Sequence, residues 1–225
     1  MTSITPHTLG FGTGIYTTPE VAKILRLPAR KVKRWMQEYW ENYFTKSTRM
    51  YYSEGVGSEQ VTNFHTLIEF FVFYQLREKG ISPQQIIKAH DVLASRFKTA
   101  YPFATLPILT DGRKILFTDK VGEIIDADAS LQMYITDVIR PFCQRIEFDE
   151  NQLARRFFPL GKDHQVVIDP ERKFGQPVIE GTTILTETIY NLYRAGESVE
   201  TIAKLYDLSV DQVQDALEFH RRSAA

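Results

Sequence analysis

Arg30, Lys31, Lys33, Arg34 and Gln37 are the residues of this chain whose types and spacing could do chemistry as a group. At about 100° per residue, Arg30, Arg34 and Gln37 fall on one side of a helix with Lys31 and Lys33 at its flanks. Val32, Trp35, Met36 and Tyr39 fall on the other. An apolar stripe packs and a basic stripe faces out. Arginine can bond a guanine edge twice, glutamine can bond an adenine edge, and lysine neutralises phosphate, so the pattern suits DNA read in the major groove. Arg49 adds a phosphate contact further on. A merely solvated amphipathic helix carries the same signature, and the neighbouring elements must decide between the two.

Other reactive residue types do not gather. His7, His65, His90, His164 and His220 are scattered, with no pair at the i, i+4 spacing of a helical metal site, and Asp163-His164 lacks a third ligand. His90 and His220 fall on apolar helix faces and read as packing residues. The single cysteine, Cys143, excludes an internal disulfide framework and a cysteine zinc cluster within one chain, and points to a reducing cytoplasm. Asp126 and Asp128 read as an acidic loop. Gly10-Phe11-Gly12-Thr13-Gly14 lacks the preceding strand and the Lys-Ser/Thr ending of a phosphate-binding loop, so residues 1–14 read as a flexible arm. The expectation is a protein that is not an enzyme and has no metal or cofactor.

The elements that must position the basic stripe are legible around it. Thr18 is the expected cap of a helix that takes Pro19 in its first turn and buries Val21, Ile24 and Leu25. Leu27-Pro28 breaks it and a second helix starts near Ala29. Strand-like residues at Met50 to Tyr52 and Gln60 to Thr62 flank a turn at 53–58, which suits a hairpin wing. An unusually apolar helix is expected over Phe64 to Lys79, closed by Gly80. Another follows, with Ser82 as cap, Pro83 at its first position, Gln85 closing the capping box and Ile86 stapled to Ile81. Between residues 101 and 164 the pattern turns to strands at Leu106 to Leu109, Lys114 to Thr118, Glu123 to Ile125, Arg145 to Phe148 and on to Val166 to Ile168, with a helix over Leu131 to Ile139.

Three short helices close the chain. Thr186 is the expected cap of the first, which turns Ile189, Leu192 and Tyr193 inward and stops at Gly196. Ser198 caps the second, which buries Ile202, Leu205 and Tyr206. Ser209 and Gln212 form a capping box on the third, with Leu208 stapled to Val213 and an apolar face of Val213, Ala216, Leu217 and His220. The last helix also sets out Asp211, Gln214, Asp215 and Glu218, read as an exposed acidic surface for protein contacts.

The fold expected is mainly α with a small α+β middle: an N-terminal winged helix-turn-helix unit with its following helices over 1–100, an α+β connector over 101–164, and a three-helix module over 165–225. The net charge of −1 hides a gradient. Residues 1–50 hold 8 basic against 3 acidic side chains, a net of +5, and residues 165–225 hold 6 against 10, a net of −4. A polyanion is drawn to the front of the molecule and repelled from the back. No run approaches the roughly 20 apolar residues of a membrane span, so a cytoplasmic protein is expected.

Gly175, Pro177, Gly181 and Thr182 stand at the spacing of a Gly-x-Pro-x-x-x-Gly-Thr stretch before helices. In this the chain resembles the antitoxin-like family known as domain of unknown function four-three-three. Tyr16 to Ala22 followed by Val32-Lys33-Arg34-Trp35 resembles a MerR-like helix-turn-helix. Together they are similar to the longer VapB-type antitoxins. That resemblance implies a protein that binds operator DNA to repress its own operon and neutralises a PIN-like toxin, a metal-dependent ribonuclease. A homodimer is expected because one short recognition helix gives too few base contacts. Its expected interfaces are the C-terminal helices and the helix from Phe64 to Leu76, since Phe70, Phe71, Phe73 and Tyr74 exceed what one buried face needs. Many relatives carry a basic residue after Gly-Thr, whereas this chain has Thr183, so the toxin contact is expected from Arg221 and Arg222 at the C-terminal end. The other function considered is a free-standing MerR-like regulator whose middle region senses a small molecule.

Overall fold

Thr17, not Thr18, caps the first helix. The computed structural model describes residues 12–48, 51–55, 57–105 and 144–221, and within them strand β1 (Tyr16–Thr17) leads into helix α1 (Thr18–Leu25). Thr17 is extended and forms a reciprocal capping box with Glu20. The correction follows from the box itself, because the partner three residues after Thr18 is Val21, which has no acceptor. Arg26 in left-handed geometry closes α1.

Helix α2 (Ala29–Trp35) follows Pro28, widens into a π-helical stretch over Met36–Phe44, and ends as α3 (Thr45–Thr48). Val32, Met36, Trp40 and Phe44 are all buried. A spacing of four drifts by about 40° per step in an α-helix, and the wider turn reverses the drift, so the mixture keeps these four near one line.

Strands β2 (Ser53–Glu54) and β3 (Val61–Thr62) complete an antiparallel sheet in the order β1-β3-β2, with Tyr16 and Ser53 both opposite Thr62. Pairing thus begins inside the stretch read as turn. Tyr52 is instead buried, its hydroxyl donating to the Ala100 carbonyl. Ser53 and Gln60 both donate to the Glu41 carboxylate, which ties the hairpin to the π-helical stretch.

Helix α4 (Phe64–Glu78) is capped by Asn63, and α5 (Pro83–Phe97) carries the Ser82/Gln85 capping box that its sequence suggests. Helix α4 is covered on nearly every side within one chain. Trp40 stacks on Phe70 at 4.1 Å, Trp35 meets Phe73 edge-on at 4.9 Å, and Phe71 packs on Phe157 at 4.8 Å. Its excess of aromatics, read from sequence as a ground for dimerisation, is accounted for by this enclosure.

Strands β4 (Ile146–Phe148) and β5 (Ala154–Phe157) form a bulged hairpin, and β6 (Val166–Val167) pairs with β7 (Val178–Ile179). Helices α6 (Thr186–Arg194), α7 (Val199–Tyr206) and α8 (Val210–Arg221) follow. The caps at Ser198 and Ser209 form as expected. Thr186 does not cap: Leu185 holds that place, and the Thr186 hydroxyl turns inward to the Pro177 carbonyl and the His220 ring. Leu205 is 66% exposed, and Ala203 is buried instead. Leu205 lies roughly 100° from the centre of the arc set by Ile202, Ala203 and Tyr206, and so misses the core of a two-turn helix.

One large core runs from Tyr16 through α1, α2, α4 and the β4-β5 hairpin to Phe219, and a smaller one joins Ile179, Ile189, Ile202, Val213, Ala216 and Leu217. Arg49, Met50, Cys143, Arg222, the acidic pair Asp126 and Asp128, the strands expected between Leu106 and Ile125 and the helix over Leu131 to Ile139 lie outside the described residues. Among the described residues no helix is long and apolar enough to cross a membrane.

Candidate nucleic-acid interface and the junction behind it

Arg30, Lys33, Arg34 and Gln37 are exposed along one side of α2 and its π-helical continuation, opposite the buried Val32, Trp35 and Met36. This is the division that the helical spacing suggested. Arg34 lies 3.8 Å from Glu38 one turn on, a solvated pair of small energetic weight that leaves the guanidinium able to change partners. Lys31 behaves differently. It is half-buried, and its ammonium sits 5.0 Å from the Trp35 ring centre and 5.4 Å from that of Tyr74. Its charge is directed along the aromatic seam between α2 and α4, away from the row formed by Arg30, Arg34 and Gln37.

Behind α1 lies a junction that the sequence did not disclose. Gln176 donates to the Glu20 carboxylate at 2.7 Å, Lys23 lies 3.5 Å from Glu187, and the Ile15 amide donates to the Phe174 carbonyl at 3.0 Å. Gly175 explains itself here. At φ +82° it lies so close to Tyr16 that a Cβ would come within 2.0 Å of the phenol oxygen. Thr13 accepts from the Phe64 amide at 2.9 Å, so the segment from Gly12 is tied into the fold and is not part of a free arm. The Tyr16 hydroxyl is buried without a hydrogen-bond partner among the described residues, and burial, with the charges of Asp169 and Glu20, pushes its pKa well above the ordinary value.

Glu20, Lys23, Gln176, Pro177, Thr186 and His220 line a cavity of about 160 Å³ at this junction. Burial, reinforced by the Lys23 cation, lowers the pKa of His220 to about 4, so its ring is neutral at pH 7. It stacks on Tyr190 at 4.7 Å, the packing role read from sequence. His90 is likewise internal, stacked on Phe44 at 3.8 Å and 2.9 Å from the buried Glu69 carboxylate, whose other oxygen accepts from the Phe103 amide at 2.7 Å.

His164, for which the sequence offered no third ligand, meets Asp215 and Glu218, with ligand atoms from all three within 4.8 Å of one another. Both Asp215 oxygens already have work: one accepts from His164 Nδ1 at 2.8 Å and the other from the Gln165 amide at 2.7 Å. The reading of Asp215 and Glu218 as an exposed acidic surface is therefore corrected. Both are half-buried, and Asp215 pins α8 to the start of β6. Asp211 and Gln214 remain exposed. Arg221 is exposed, its guanidinium 5.7 Å from the Tyr193 ring centre.

The architecture is shared with a solved protein. The X-ray crystal structure of Rv2018 from Mycobacterium tuberculosis superposes with a TM-score of 0.73 over 93% of this chain and 99% of that one, at 22% identity, a likeness of fold. Residues 166–220 match the family described as Protein of unknown function (DUF433). Over nearly its whole length the chain is similar to two proteins of the same organism. One is named "Putative antitoxin VapB45", 25% identical across 93% of this chain and 95% of that protein. The other is named Uncharacterized protein Rv2308, 26% identical across 92% and 90%.

Proposed function

We propose that this chain is the DNA-binding antitoxin of a toxin-antitoxin pair, with a MerR-like winged helix-turn-helix in front and a toxin-binding helical module behind. The observation that carries the reading is the end-to-end similarity to a relative whose name says antitoxin, on a chain that sets Arg30, Lys33, Arg34 and Gln37 out on one helix face. The hairpin of β2 and β3 beside that helix supports the wing. Short recognition helices make few base contacts, so operator specificity calls for a homodimer on paired half-sites. The partner neutralised is a PIN-like ribonuclease, and binding to the operator represses the operon. The site of action is the cytoplasm.

Co-expression with the product of the adjacent reading frame, followed by purification, tests the pairing; the expected result is a stable complex without ribonuclease activity. Titration with promoter DNA tests the front of the molecule. Affinity should fall with salt at a log-log slope of about −0.9 per phosphate neutralised. Arg34→Ala should cost about 1 to 3 kcal/mol and relax sequence preference. Unchanged affinity in the combined Arg30→Ala, Lys33→Ala, Arg34→Ala variant would remove α2 as the reading helix.

A further inference from the structure

We infer that Lys173-Phe174, the knuckle between β6 and β7, is the docking point for the neutralised protein, and that it seats in a pocket with an apolar floor and an acidic rim. The inference rests on the antitoxin reading and specifies its contact surface. Phe174 is 61% exposed, and both it and Lys173 hold left-handed backbone geometry, at φ +56° and +47°. Neither residue type favours that region, because the side chain crowds the following carbonyl there. Exposing a phenyl ring gains the fold nothing. A strained backbone that displays an apolar ring therefore needs a reason outside the packing of the described residues.

The surroundings over-determine this geometry. The Asp169 side chain accepts from the Glu171 amide at 2.9 Å and lies 3.4 Å from Arg172. The Gly175 amide donates to the Arg172 carbonyl at 2.8 Å, and the Gln176 amide to that of Lys173 at 3.0 Å. The Phe174 carbonyl is held by Ile15, and Gly175 is wedged against Tyr16. A rigid aromatic anchor loses little entropy on binding, the property of an interface hot spot.

Charge selects the occupant. Arg172 turns back to Asp169, whereas Lys173 is exposed and has no ion-pair partner among the described residues. The ring thus carries one available cation beside it, which suits carboxylates around an apolar pocket. Nucleic acid is disfavoured, because the neighbouring cations Arg172 and Arg155 are already paired with Asp169 and Glu171, so the knuckle sets out one lysine where a phosphate backbone calls for several.

Strain and binding give this proposal readouts of opposite sign. Glycine reaches φ +56° without penalty, so Phe174→Gly should hold or raise the melting temperature of the full chain. Its affinity for the product of the adjacent reading frame, measured by calorimetric titration, should fall about 30-fold or more. Lys173→Glu should also weaken binding. Wild-type affinity in both variants would overturn the inference and leave the antitoxin reading standing. Weakened binding to promoter DNA with unchanged binding to the protein would overturn it in favour of a nucleic-acid contact. Failure of the wild-type chain to bind the protein would remove both the antitoxin reading and this surface.

Discussion

His220 shows how a residue that titrates near neutrality in free solution becomes a structural part. Its folded pKa of about 4 lies below the ordinary 6.5, because burial and the Lys23 cation disfavour the charged ring. A depressed pKa contributes stability that is fully present above about pH 6.5 and is lost as pH falls through the interval down to about 4. Melting temperatures measured from pH 7 to pH 4 should therefore decline, and His220→Gln should decline less over the same range. At Gly175 the constraint is steric as well as conformational. Gly175→Ala places a Cβ against the Tyr16 ring and the Gly14 backbone at a positive φ, so a marked drop in thermal stability is expected. Tyr16→Phe removes a buried hydroxyl that has no hydrogen-bond partner among the described residues, and should leave stability equal or higher. A loss of stability in Tyr16→Phe would mean that the phenol is satisfied in solution by a partner such as water.

At the scale of elements, the helix that carries the basic stripe is held by its other face. Trp35 and Trp40 pack on Phe73 and Phe70 of α4, Val32 and Met36 are buried in the same core, and Lys31 covers the seam between Trp35 and Tyr74. Lys31 is thus a packing residue as much as a cation. Lys31→Ala should lower stability by about 0.5 to 1 kcal/mol, the range of a cation resting on an exposed aromatic face. The salt slope of DNA binding should stay unchanged, whereas Lys33→Ala should reduce it by about one phosphate contact. Equal reductions in slope from the two variants would return Lys31 to the phosphate surface. The capping boxes at Ser82 and Ser209 were readable because each sits within four consecutive residues. The caps expected at Thr18 and Thr186 failed because one threonine had a better neighbour and the other was needed inside.

The whole molecule behaves as one packed body in its described parts. Phe219, near the end of α8, belongs to the same core as Tyr16, and Phe71 of α4 rests on Phe157 of β5. A fragment of residues 1–105 would expose the α4 face around Phe71 and leave Tyr16 without its C-terminal cover. It should melt well below the full chain and bind a hydrophobic dye. A fragment as stable as the whole would show that the front unit folds on its own.

The sequence by itself determined the local grammar: the break at Leu27-Pro28, the amphipathic division of α2, and the capping boxes at Ser82 and Ser209. These depend on side-chain type, helical period and neighbours within four positions. Tertiary structure alone decided the rest. It brought Gly175 to Tyr16, Gln176 to Glu20, Glu69 to His90 and His164 to Asp215, enclosed the aromatics of α4, and left Phe174 and Leu205 outside. Such pairings depend on which distant surfaces meet once the chain closes, and periodicity ranks faces by polarity without naming the face that will cover them.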